Sequence, residues 1–116
     1  MPHIHLQTSA DLTENTGISE ILEKLVGALC EIETIDPKAV KAYHSLRSVW
    51  AMCDGSEPGF ATCEVAVLAG RPEELRVKIA DAMFAALQAA FAQSASAGEV
   101  NLTLEVREMD RATYRK

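Results

Sequence analysis

The order strand, helix, strand occurs twice along 116 residues, and it predicts an α/β (α+β) fold of two β-α-β units. Those units form a four-stranded mixed sheet with both helices on one face, because each half implies a right-handed crossover between parallel strands. Three observations carry the prediction. Apolar residues alternate with polar ones near both ends of the chain, at Ile4 and Leu6 and again at Val100, Leu102, Leu104 and Val106. Two stretches between them repeat apolar residues at helical spacing, and clusters of Gly, Pro, Asp and Ser separate the elements.

Residues 2 to 8 alternate with Ile4 and Leu6 on one face and His3, His5 and Gln7 on the other, the period of a half-buried strand. Thr8-Ser9-Ala10-Asp11 ends it. Ile18, Ile21, Leu22, Leu25, Val26, Leu29 and Ile32 then form the apolar stripe of an amphipathic helix. Thr16 or Ser19 is expected to cap its start, and Asp36-Pro37 to close it. An extended segment follows from about 39 to 52, in which Tyr43, Val49 and Trp50 suit a strand. Asp54-Gly55-Ser56-Glu57-Pro58-Gly59 reads as the loop of a hairpin-like reversal into a strand over 60–68. Pro72, Glu73 and Glu74 suit the first turn of a second helix, which runs to about Gln93. Its stripe is Leu75, Ile79, Met83, Ala86 and Ala90, widened by Val77, Phe84 and Phe91. Gly98 ends the connection into a final strand over 100–107. The second sheet face, with Cys63, Val65 or Ala66 among polar groups, is left bare by the helices and invites burial by a partner subunit.

Length and composition bound the rest. A chain with 48% hydrophobic residues is long enough for one core and too short for two, so residues 1–116 are read as a single domain. A net charge of −6 with scattered Lys and Arg predicts no nucleic-acid partner. No stretch has the length of a membrane span and no secretory signal is recognisable, which predicts a cytoplasmic protein without a membrane partner. Cys30, Cys53 and Cys63 show no CxxC spacing and read as reduced thiols.

Pro2 is the residue with chemistry to offer. Removal of Met1 makes it a secondary amine at the chain terminus, where α-amino groups titrate at about 7.7–8.0. Burial or a neighbouring cation lowers that value and turns the amine into a base near neutral pH. A ring-held nitrogen of this kind can take a carbon-bound proton and return it elsewhere. The bland alternative is a chain end that merely permits methionine removal. His3 and His5 share a face and offer half a metal site, but no third ligand stands at suggestive spacing, so no metal is expected. His44 reads as a hydrogen-bonded structural histidine that could titrate near neutral pH.

Taken together, these residues resemble the 5-carboxymethyl-2-hydroxymuconate isomerase family of the tautomerase superfamily. The similarity runs through Pro2-His3-Ile4, Ser9, His44, Asp54-Gly55, Ala69-Gly70-Arg71, Met83-Phe84, Phe91, Leu104-Glu105-Val106-Arg107-Glu108 and Thr113-Tyr114-Arg115-Lys116. The resemblance implies a tautomerase-like fold assembled as a homotrimer. It implies a cofactor-independent isomerase or tautomerase that moves a proton within a small unsaturated 2-oxo or 2-hydroxy (di)carboxylic acid, in the breakdown of aromatic compounds. Pro2 would be the general base and acid, in a dry, cation-lined cleft between subunits. Arg71 matches the family's arginine at the strand–helix turn and would bind a carboxylate or the charge developing on a dienolate oxygen; otherwise it is a solvated loop residue.

Departures from the family pattern bear on the substrate. A second arginine expected before His44 is missing, and Lys41 or Arg47 would stand in, with Lys41 facing water as the alternative. Trp50 would wall the pocket, or else anchor the core or an interface. Two further readings remain open. One is a hydrolytic dehalogenase or hydratase type of reaction on the same proline, with Glu64 or Glu105 orienting water. The other is a non-catalytic trimeric protein that keeps the fold.

Overall fold

The computed structural model describes residues 2–116. The chain runs β1 (His3–Ser9), a 3-10 turn (Thr13–Gly17), α1 (Ile18–Cys30), a 3-10 turn (Pro37–Ala39), β2 (Lys41–Arg47), β3 (Gly59–Leu68), α2 (Glu73–Ala90), α3 (Ala92–Ser96) and β4 (Val100–Met109). The strands form one sheet in the order β2-β1-β3-β4. β1 is parallel to β2, β3 is parallel to β4, and the two pairs meet where β1 and β3 run antiparallel. This is the predicted pair of β-α-β units.

Side chains on a strand alternate between faces, so the register sorts the sheet into rows. Ile4, Leu6, Ala61, Cys63 and Val65 point to the helices and join Leu25, Leu29, Ile79, Met83, Leu87 and Phe91 in a buried core. The opposite face carries His3, His5 and Gln7 from β1, with Lys41, Tyr43 and Ser45 beside them on β2. Across β3 and β4 the same face carries Thr62, Glu64 and Ala66, and Thr103, Glu105 and Arg107. Cys63 and Val65 therefore belong to the core and not to the bare face, where of the three expected residues only Ala66 sits. The run Val65-Ala66-Val67 does not alternate in character, so the residues alone gave no phase, and the pairing with β1 sets it.

Several boundaries differ for physical reasons. α1 stops at Cys30, yet Ile32 and Ile35 remain buried, because successive turns bond Ile32 N–H to Leu29 O and Ile35 N–H to Ile32 O. Spacing of three keeps the apolar side on the core after the helix ends. Neither Thr16 nor Ser19 caps α1. Gly17 occupies the N-cap without a side-chain bond, and the Thr16 hydroxyl donates to Thr13 O. β2 ends at Arg47 because its partner β1 ends opposite, at Ser9; Val49 beyond it is 90% exposed. The segment 48–58 is no hairpin loop, since β1 lies between β2 and β3.

α2 buries Ile79, Met83 and Leu87, and Phe91 continues the stripe where the helix kinks into α3. Ala86 and Ala90 are only partly buried and Val77 is half exposed, so the apolar arc is narrower than its composition implies. Gly59 opens β3 in close approach to β1: a Cβ there would lie 2.7 Å from the Ser9 hydroxyl and 2.7 Å from an Asp11 carboxylate oxygen. The Ser9 hydroxyl instead accepts the Phe60 N–H at 2.9 Å, which pins the two strand ends together.

Candidate active site

Because β3 and β4 run antiparallel to β1 and β2, one end of the sheet gathers the starts of β1 and β2 and the ends of β3 and β4. Pro2 leads into β1 there and is buried. Met1, on whose removal a free proline nitrogen depends, lies outside the described residues. The Pro2 carbonyl accepts the Lys41 N–H at 3.2 Å, tying the first residues of β1 and β2.

Lys41 sits opposite His3 in the parallel pair, and Arg107 lies in the same row, with Ala66 between. The row therefore presents Lys41, His3 and Arg107 on the open face beside Pro2. Burial first, and then the charges of Lys41 and Arg107, disfavour charging of the His3 imidazole and lower its pKa. Lys41 makes no ion pair among the described residues, whereas Arg107 meets Glu64 at 3.2 Å. Of the two replacements expected for the missing arginine, Lys41 is at the Pro2 end. Arg47 is not: it closes the far end of β2 and donates to the Gln7 side-chain oxygen at 2.9 and 2.7 Å.

Arg71 follows β3 at the same end. His3 pairs with Ala66 in the antiparallel register, so Pro2 falls level with Val67 and the Arg71 turn begins just beyond. Gly70, with φ +123°, makes that turn in a conformation that side chains rarely adopt. The Arg71 guanidinium donates to Thr34 Oγ1, Thr34 O and Leu68 O, each at 3.3 Å. All three acceptors are neutral, and no carboxylate pairs with Arg71 among the described residues. A guanidinium has five N–H donors. The remaining donors and the full charge are available to an anion.

Trp50 is placed elsewhere. It lies in the 48–58 segment past the far end of β2, with its indole N–H donating to Pro58 O at 2.9 Å. The seven residues of β1 separate that end from Pro2 by about 20 Å. Trp50 stands three residues past Arg47, a reach of about 10 Å at most, so it does not wall Pro2 of its own chain.

The other singled-out side chains have partners of their own. His5 bonds Ser45 Oγ at 2.8 Å and stacks on Tyr43. His44 faces the helices and contacts Thr8 Oγ1 at 2.7 Å. Thr8 donates onward to Asn15 Oδ1, so the His44 Nε2 carries the proton toward Thr8. Burial first, then His5, lowers the His44 pKa. Glu64 faces the same row as Glu105, and its engagement with Arg107 leaves it poorly placed to orient water.

Two residues of this end escaped the sequence reading. Alternation along the last strand puts Arg107 on the open face, but only its pairing with β3 sets it in the row of His3. Tyr114 has no local signal at all, since it reaches His3 Nε2 at 3.2 Å only through the return of the C-terminal segment.

Comparison with known proteins bears on the family and the fold. A family model described as CHMI, 5-carboxymethyl-2-hydroxymuconate isomerase, matches residues 2–116. Among solved structures, the chain is similar to a 5-carboxymethyl-2-hydroxymuconate isomerase from Deinococcus radiodurans R1 at 31% identity and a TM-score of 0.90, over 99% of this chain and 87% of that one. A structure described as 5-carboxymethyl-2-hydroxymuconate delta-isomerase superposes with a TM-score of 0.85 at 18% identity, over 100% of this chain and 87% of that one. A fused 4-OT described as a wild-type symmetric trimer shares the fold with a TM-score of 0.74 at 17% identity, over 98% and 90% of the two chains. No curated protein matches the sequence.

Proposed function

Since the chain belongs to the 5-carboxymethyl-2-hydroxymuconate isomerase family and is an isomerase of tautomerase type, we propose that Pro2, freed of Met1, is its general base and acid. The substrate class is a small unsaturated 2-oxo or 2-hydroxy dicarboxylic acid. The unprotonated proline nitrogen removes a proton from a carbon next to the carbonyl of an oxo acid, or from the hydroxyl of an enol acid, and either step leaves a dienolate whose charge rests on that oxygen. The same proton then returns from the proline to a carbon further along, so the double bond has moved and no atom is gained or lost.

One observation carries this reading: beside a buried proline at the head of β1 stand Lys41 and, at the neighbouring turn, Arg71, neither of which pairs with a carboxylate among the described residues. Positive charge around the nitrogen disfavours its protonated form and keeps it basic near neutral pH. The planar fork of Arg71 suits a carboxylate or the dienolate oxygen, and Lys41 supplies a point charge for the second carboxylate. The reaction as written needs no cofactor.

Assembly as a homotrimer is part of the proposal. It rests on the polar sheet face left uncovered by helices and on the likeness to a fused 4-OT trimer. A neighbouring copy is then what would bring further walls, Trp50 included, to the Pro2 end.

The test is turnover of Met-free protein on a panel of enol and dienol acids, with halogenated acrylates as the competing class. Pro2→Ala is expected to lose about 10²- to 10⁴-fold in kcat. Equal turnover by the two proteins ends the proline mechanism.

A further inference from the structure

The chain does not leave the sheet after β4. Asp110 turns it back, its carbonyl accepting the N–H groups of Thr113 and Tyr114 at 3.2 and 3.0 Å and its side chain accepting the Ala112 N–H at 2.9 Å. Two side chains of this turn then reach opposite flanks of the Pro2 end. The Arg111 guanidinium donates through Nε to the Ala69 carbonyl. It lies over Gly70, where a Cβ would meet Arg111 Nε at 3.3 Å and Nη2 at 3.5 Å. Tyr114 places its hydroxyl 3.2 Å from His3 Nε2, with the two rings 6.0 Å apart. The Ala69 N–H bonds Met109 O at 2.9 Å, so the same turn is also held by backbone.

We propose that Arg111 and Tyr114 are positioning residues of the active site, holding the turn that bears Arg71 at a fixed place relative to the strand that bears Pro2. The inference rests on the reading of Pro2 as base and Arg71 as the dicarboxylate-binding group. The Arg71 side chain is held by 3.3 Å bonds to neutral oxygens and its carbonyl by Arg76 Nε at 3.3 Å, and Gly70 before it has no side chain to restrict the backbone. Arg111 fills the space that Gly70 leaves and removes that freedom. Tyr114 fixes the other flank through His3, which adjoins Pro2 in sequence and stands level with Lys41. Neither residue is assigned contact with substrate.

Met-free wild type, Arg111→Ala, Arg111→Lys and Tyr114→Phe are compared at matched protein concentration. The readouts are steady-state kinetics on the best dienol dicarboxylate, NMR titration of the His3 imidazole, and Kd for fumarate as an unreactive dicarboxylate. Arg111→Ala is expected to raise KM and the fumarate Kd about tenfold or more with kcat within threefold, and Arg111→Lys to recover most of that. Tyr114→Phe is expected to move the His3 titration and to raise KM severalfold. If Arg111→Ala fails to fold, Arg111→Lys and Tyr114→Phe decide the matter by the same readouts. Unchanged KM and Kd, or a fall in kcat alone, overturn the inference. Pro2→Ala keeps the two ideas apart: full turnover by that variant sinks the proline mechanism, while a raised fumarate Kd in Arg111→Ala still supports the positioning role.

Discussion

Arg71→Ala separates what the guanidinium does for the fold from what it does for a substrate. Its three hydrogen bonds are each 3.3 Å long and go to neutral oxygens at a part-exposed position. Each falls at the weak end of the usual net contribution, so the total is about 1–1.5 kcal/mol. For a chain of this size that corresponds to a fall in Tm of about 3–8 °C. No fully buried partner is left unsatisfied at large cost, since Thr34 is exposed and Leu68, whose carbonyl is the third acceptor, is only partly buried. Loss of one charged donor to developing negative charge costs far more in the transition state, about 3–4 kcal/mol, or 10²- to 10³-fold in kcat/KM. The assay pairs a thermal melt with dienol turnover at 25 °C, well below the melt, at one protein concentration because an oligomer's Tm depends on it. Arg71→Lys should fall between, keeping charge and losing the fork. A drop in Tm of the stated size with kcat/KM within threefold of wild type would refute the role of Arg71 and leave it a structural residue.

Other expectations concern stability and thiol chemistry. Phe91 is fully buried between α2 and α3, and Phe91→Ala should destabilise by about 3–5 kcal/mol in urea unfolding at pH 7.5. Gly59→Ala pushes a methyl against Ser9 and Asp11 and should cost about 1–3 kcal/mol, visible in the same transition; an unchanged midpoint would mean that both side chains swing aside freely. His3 and His44 both have pKa values below 6.5 in the folded chain, so below that value the unfolded chain takes up protons that the folded one refuses. Their contribution is complete above about pH 6.5 and is lost as pH falls through 6.5 toward the folded values. The urea midpoint should therefore drop between pH 7.5 and 5.5, with a shallower drop in His44→Gln. Burial, and then Glu64, push the Cys63 thiol up to about 12, so iodoacetamide at pH 8 should alkylate the exposed Cys53 and spare Cys63 until urea unfolds the chain.

Arg71 stood out only through the family resemblance, while the residues themselves determined the two β-α-β units, the amphipathic faces of α1 and α2, and the chemical interest of Pro2. All of these are local: they depend on periods of 2 and 3.6, on turn residues, and on the chemistry of a terminal secondary amine. Element ends were less legible, because Ile32 and Ile35 keep the helical rhythm beyond the end of α1 and Val49 and Trp50 suit a strand that has no neighbour left to pair with. Only the tertiary structure decided which residues share the Pro2 end. Strand register, a long-range property, put Lys41 and Arg107 in the row of His3 and sent Arg47 and Trp50 about 20 Å away at the other end. It also turned Cys63 and Val65 inward, since a shift of one residue exchanges the two faces of a strand. The return of the C-terminal turn onto Ala69 and His3 depends on contacts between residues more than 40 and more than 100 positions apart, for which no local pattern exists.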